Sequence, residues 1–134
     1  MEACMITLTL PFGPSVNHYK TIGRLTKTPS GKIYQKRINS PVTKRFFQEV
    51  WHRIRDLKAS TGFPGFAGAT ISVEVYVYPP DKRKRDLDGI LKVLLDAMQW
   101  GGLYDDDYQI ARLFVERCDI IREGQIVVRV KPLE

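Results

Sequence analysis

The chain has 134 residues, 43% hydrophobic and 27% charged, with 21 Lys/Arg against 15 Asp/Glu and a formal net charge of +6. A chain of this length buries roughly two thirds of its unfolded surface without metal or disulfide staples, so residues 1–134 are expected to form a single domain. Cys4 and Cys118 make no C-x-x-C pair, residues 1–5 show no basic segment leading into an apolar one, and no apolar run nears the ~20 residues of a membrane span; a disulfide framework, secretion and membrane insertion are not expected, and a cytoplasmic, nucleoid-associated protein is.

Ile6 to Leu10 alternates with period two and predicts a half-buried strand, ended by Pro11, Gly13 and Pro14. Ser15 to Asn39 is polar and basic, broken by Pro29-Ser30-Gly31, and predicts an exposed loop or loose hairpin. It carries Lys20, Arg24, Lys27, Lys32, Lys36 and Arg37 with Tyr19 and Tyr34 between them, a composition suited to phosphates and stacked bases and equally to a solvated loop. Ser40-Pro41 then reads as a helix start. Behind it Val42, Phe46, Phe47, Val50, Trp51, Ile54 and Leu57 form an apolar stripe that stops before Gly62. Ala69 to Tyr78 alternates again, and Pro79-Pro80 ends it. A second helix is expected from about Asp86 to Trp100, with Leu87, Ile90, Leu91, Leu94, Leu95 and Met98 buried and Gly101-Gly102 as its stop. Two last strands, near Gln109 to Arg117 and Gln125 to Lys131, flank a turn at Glu123-Gly124. This order implies an α+β fold, two main helices packed on a mixed β-sheet.

The positive charge is uneven. Residues 1–60 hold eleven Lys/Arg and three acids, whereas residues 86–107 hold six aspartates and one lysine. A basic protein suits a polyanion such as nucleic acid, but an acidic island would repel phosphate unless a cation sits on it. Asp88, Lys92, Asp96 and Gln99 share one helix face, Asp86 and Asp88 lie at the helix start, and Asp105-Asp106-Asp107 follows the glycine stop. A helix of this length spans roughly 22 Å, so Asp107 meets Asp86 only if the returning chain runs back beside the helix N-terminus. If it does, three carboxylates without histidine or thiolate suit Mg²⁺ or Mn²⁺. Beside Lys82, Arg83, Lys84 and Arg85, such an ion can serve phosphodiester hydrolysis, and Lys92 can stabilise the charge that develops. The same residues have plainer uses: Asp86 as an N-cap, Asp88 and Lys92 as an ion pair, Asp105 to Asp107 as a polar turn.

The run Asp81 to Lys92, then Leu95-Asp96-Ala97-Met98, then Leu103 to Ile110, resembles the RusA family of Holliday junction resolvases, whose signature is a basic run into D-L-D-N, a lysine four residues on, and D-D-x-Q. Pro14-Ser15-Val16-Asn17-His18-Tyr19 is similar to its P-P-S-x-N-x-x-Y element, with Gly13 in place of the first proline and Tyr19 one position early; Gly89 stands for the asparagine. The resemblance implies a RusA-like fold and a homodimer nicking two opposed strands of a four-way DNA junction. It implies Asp86, Asp88 and Asp107 as Mg²⁺ ligands, Lys92 as the essential lysine, and Asp96 and Asp106 as supporting carboxylates; DNA contacts are expected from Asn17, Tyr19 and Lys82 to Arg85. A non-catalytic nucleic-acid-binding module, and a subunit of a nucleoprotein complex contacting partners through Tyr76 and Tyr78, are the other readings of the same residues.

Overall fold

The computed structural model describes residues 5–133, so Cys4 and the other terminal residues lie outside it. The elements, in order, are β1 (Ile6–Leu10), a 3-10 turn (Val16–His18), β2 (Lys20–Lys27), β3 (Ile33–Asn39), α1 (Pro41–Thr61), β4 (Ile71–Tyr78), α2 (Leu87–Trp100), a second 3-10 turn (Asp107–Gln109), β5 (Ile110–Arg117) and β6 (Gln125–Pro132).

A four-stranded mixed sheet has the order β1-β6-β4-β5, and β2 pairs with β3 as a separate antiparallel hairpin. The register explains the core. Leu8 aligns with Val128 and Val128 with Val75, while Leu10 aligns with Ile126 and Ile126 with Val77, so the period-two apolar positions of three strands form continuous buried rows. Val50 and Ile54 of α1, with Val93, Leu94, Ala97 and Met98 of α2, join those rows in one core. Two positions expected on the α1 stripe, Val42 and Trp51, stay more than a third exposed, because they lie at its margin; the Arg55 guanidinium sits over the Trp51 ring at 4.8 Å.

β4 runs parallel to β5, and a parallel pair needs a crossover, which α2 supplies. The last two strands are therefore not a hairpin: β6 pairs on the other side of β4, and the link between them crosses the end of β4, where Cys118 N–H donates to Val77 O and Ile121 N–H to Pro79 O. This connection places the N-terminus of α2 just beyond the carboxyl end of β4, where open α/β sheets leave a crevice.

α1 begins as its sequence indicates. Ser40 is the N-cap, its Oγ accepting from Thr43 N–H at 3.3 Å, and Gly62 closes the helix in the left-handed region (φ 75°). Ser40 and Thr43 are buried and also face outward from the helix end: Ser40 Oγ donates to His18 O at 2.6 Å, and Thr43 Oγ1 to Tyr19 O at 2.9 Å. They anchor the segment carrying Asn17 and Tyr19.

Candidate active site

The basic run between β4 and α2 is folded on itself by its own first residue. Asp81 Oδ1 accepts from Arg83 N–H at 2.9 Å and from Arg85 Nη1 at 2.7 Å, and Oδ2 accepts from Arg85 Nη2 at 3.2 Å. These bonds, that from Arg85 first, hold the Asp81 carboxyl down at about 2. The Arg85 guanidinium also lies over the Phe12 ring at 5.3 Å, and its carbonyl accepts from Arg117 Nη2 at 2.6 Å.

Asp86 occupies the N-cap of α2 with extended backbone, yet its side chain makes no capping hydrogen bond. Asp88 is in the first helical turn, and neither carboxylate has a hydrogen-bond or ion-pair partner among the described residues. Both are exposed, at the positive end of the helix dipole. They line a cleft of about 1020 Å³ together with Arg83, Lys84, Arg85 and Lys92, closed on the far side by Phe12 to His18. The segment reaches this position because Gly13 is buried against Phe46: a Cβ there would stand 2.7 Å from Phe46 Cζ, so this chain has no room for the family's proline unless that ring moves.

Of the residues proposed from sequence, Asn17, Arg83, Lys84, Arg85, Asp86, Asp88 and Lys92 meet in this one cleft. Lys82 opens instead toward the adjoining groove at Pro79, Arg117 and Ile120. Tyr19 is not a base-stacking surface. It is only 8% exposed, its ring is packed 6.2 Å from that of Phe47, and its hydroxyl donates to Asp96 Oδ2 at 2.6 Å. Lys92 pairs with Asp96, at 3.1 Å from Nζ to Oδ2, rather than with Asp88.

Asp107 is elsewhere. Its N–H donates to Gln99 Oε1 at 3.1 Å, at the last turn of α2, and fourteen helical residues put that turn about 20 Å from Asp86. The expected return of the chain beside the helix N-terminus does occur, but at the far end of β5, where Arg117 meets Arg85, after the acidic turn has been left behind. Among the described residues no three His, Cys, Asp or Glu side chains are close enough to hold an ion together.

The acidic turn has its own framework. Asp106 and Gln109 form a capping box: Asp106 Oδ1 accepts from Tyr108 N–H at 2.9 Å, while Gln109 Oε1 accepts from the amides of Asp105 and Asp106 at 2.8 and 3.0 Å. Gln109 Nε2 donates to the carbonyls of Phe66 and Ala69. Asp106 is thus committed to the turn, and Asp107 is left exposed beside Gln99. Sequence reading assigned no role to Gln109, Gln99, Asp81 or His18. The spacing Asp106 to Gln109 carried a capping signal and Asp81 to Arg85 a possible pair, whereas nothing local marked Tyr19 as the partner of a residue 77 positions away.

Burial raises the pKa of the Tyr19 hydroxyl, and the hydrogen bond to and charge of Asp96 raise it further, so it stays a donor. Burial likewise raises Tyr104, with the charges of Asp107 and Asp96 adding to it, and its hydroxyl donates to Leu95 O at 2.7 Å.

The family model described as Endodeoxyribonuclease RusA matches residues 14–131. A crossover junction endodeoxyribonuclease rusA of Enterobacteria phage HK97 is 30% identical over 127 residues, covering 93% of this chain and 92% of that protein. The protein of that name from Enterobacteria phage 82 is 26% identical, covering 89% and 88%, and the one from Escherichia coli (strain K12) is 25% identical, covering 90% and 88%.

Proposed function

The chain belongs to the RusA family of endodeoxyribonucleases, and from that premise we propose that it resolves Holliday junctions by Mg²⁺-dependent hydrolysis of a phosphodiester in each of two opposed DNA strands. The observation that carries this reading is the meeting of Asp86 and Asp88, two carboxylates without hydrogen-bond or ion-pair partners among the described residues, with Arg83, Lys84, Arg85 and Lys92 in one open cleft. A binding module has no use for carboxylates turned toward phosphates.

The donor set fits the ion. Asp86 and Asp88 offer carboxylate oxygens, with no cysteine in the cleft lining among the described residues, at a helix N-terminus open to water, which suits a hard cation such as Mg²⁺, with Mn²⁺ as a substitute. Mg²⁺, when bound, supplies polarisation of a phosphoryl oxygen and a more acidic water. Arg83, Lys84 and Arg85 hold the flanking phosphates, and Lys92 lends its ammonium to the charge that develops on the scissile group. Asn17, across the cleft, orients the strand.

Asp107 joins this set in a homodimer. One chain holds Asp86 and Asp88 at one end of α2 and Asp107 at the other, so a two-fold axis across the exposed face of α2 brings the partner's Asp107 to the first pair and generates two equivalent sites. Two sites match a substrate with two equivalent strands. Among the described residues no helix is long and apolar enough to cross a membrane, and we place the enzyme on DNA in the cytoplasm, at the nucleoid.

Cleavage of a synthetic four-way junction tests the proposal. Paired nicks in Mg²⁺ that vanish in Asp88→Asn are expected. A junction left intact in both Mg²⁺ and Mn²⁺, or cut as well by Asp88→Asn, leaves only a binding module.

A further inference from the structure

Lys92 is held by more than its helix. Its Nζ lies 3.1 Å from Asp96 Oδ2 and 3.2 Å from Oδ1. An exposed Lys–Asp pair one turn apart ordinarily holds an ammonium only weakly, because both side chains are free to turn away. Here the acceptor is not free. The Asp96 side chain is 23% exposed, and the Tyr19 hydroxyl donates to its Oδ2 at 2.6 Å. Tyr19 is fixed in turn by its packing on Phe47 and by Thr43 Oγ1 on its own carbonyl. The chain of contacts runs from the buried cap of α1, through Tyr19 and Asp96, to the one lysine of α2 that lines the cleft.

We propose that Tyr19 and Asp96 are positioning residues for Lys92, an inference that rests on the function argued above. A lysine has three donors and four rotatable bonds. Asp96 engages part of that donor set and restricts the side chain's sweep, leaving the remaining N–H groups for a phosphoryl oxygen in the cleft. Tyr19 fixes the Asp96 carboxylate, since a hydroxyl held protonated by its burial keeps donating across the working pH range. Tyr19 acts on the reaction without touching DNA, which accounts for a tyrosine buried beneath a basic surface.

The test measures single-turnover cleavage, junction affinity and melting temperature separately for Tyr19→Phe, Asp96→Asn and Asp96→Glu. Tyr19→Phe keeps the ring and deletes only the hydroxyl; its cleavage rate is expected to fall on the order of tenfold, within the usual range for residues that orient a reacting group. Asp96→Asn should fall further, and Asp96→Glu should recover part of the loss because it restores the carboxylate. Junction affinity should stay within about twofold throughout. The inference is overturned if cleavage is unchanged in Tyr19→Phe and Asp96→Asn while Lys92→Gln is inactive, or if affinity falls as much as rate. It is also overturned if Asp96→Glu cleaves no better than Asp96→Asn. A wild-type protein that leaves the junction whole would instead remove the proposed function itself, and Lys92→Gln cleaving at the wild-type rate would remove the lysine's role.

Discussion

The amide of Asp107 donates to Gln99 Oε1 at 3.1 Å, which ties the acidic turn to the last turn of α2 while Asp86 stands uncommitted at the N-cap position of the first. The six aspartates of residues 86–107 are thus spread along a helix rather than gathered at a point. Mutual repulsion among them is relieved by that spread, by Lys92 on Asp96, and by backbone amides on Asp106. The same distribution leaves no three ligating side chains together among the described residues, and the proposed homodimer would complete each set.

Trans-complementation follows from that arrangement. Asp88→Asn and Asp107→Asn are each expected to be inactive as homodimers. When the two are mixed and allowed to exchange subunits, the heterodimer carries one site with both lesions and one with none. The expected result is single-strand nicking of a junction, measured on labelled strands. Sites built within one chain would each keep a lesion in every dimer, and no mixture would regain activity.

Gln109 is the best single point at which to loosen the acidic turn. Its side chain serves two amides and two carbonyls, so Gln109→Leu removes those partners without opening a cavity. A loss of about 2 kcal/mol is expected from the groups left unpaired at this half-buried position, read as a lower urea midpoint with an unchanged slope. Cleavage should fall in the same variant, because Asp107 is two residues away in the same turn.

The strands and helices were legible because their apolar periods, two in β4 and three to four in α2, match the buried faces found. The meeting of Asp86, Asp88 and Lys92 in one cleft was legible too, because they share one short segment. The place of Asp107 was not, since it depends on which way β5 leaves the helix end. Tyr19 was misread for a related reason. Its neighbours in sequence are cationic and exposed, while its neighbours in space are Phe47 and Asp96, and only the tertiary fold decides between them.

Acid should unfold the basic run in a window set by Asp81. Its carboxyl is lowered from 3.8 to about 2 by Arg85 and by the Arg83 amide. The stabilisation is therefore complete above the unfolded value and is lost as pH falls through the folded one. Melting temperature measured from pH 5 down to pH 2 should drop less steeply in Asp81→Asn than in wild type. Equal slopes would mean that the Asp81–Arg85 pair contributes nothing to the fold.

Gly89 lies in the first turn of α2, where an added Cβ would make ordinary van der Waals contact with Val16 Cγ1 at 3.7 Å. Gly89→Ala should stabilise by about 0.5–1 kcal/mol through the unfolded chain, raising the melting temperature by about 3 °C. A lower melting temperature would show that the helix start needs the freedom of glycine.

The hairpin supplies the last test, because its charges are exposed and lie outside the lining of the cleft that holds Asp86 and Asp88. Lys36 and Arg37 on β3 are exposed and have no ion-pair partner among the described residues. Cations of this kind bind phosphate by releasing counterions, so each contact contributes close to one unit to the salt dependence of binding. Changing both to alanine should weaken binding to junction and duplex alike and lower the slope of log affinity against log salt by about 2. Single-turnover cleavage at saturating protein should be unchanged, since neither residue lines the cleft. An unaltered salt slope would take DNA off the hairpin and leave its lysines to solvent. A loss of cleavage at full saturation would mean instead that the hairpin bends the junction into the cleft as well as holding it.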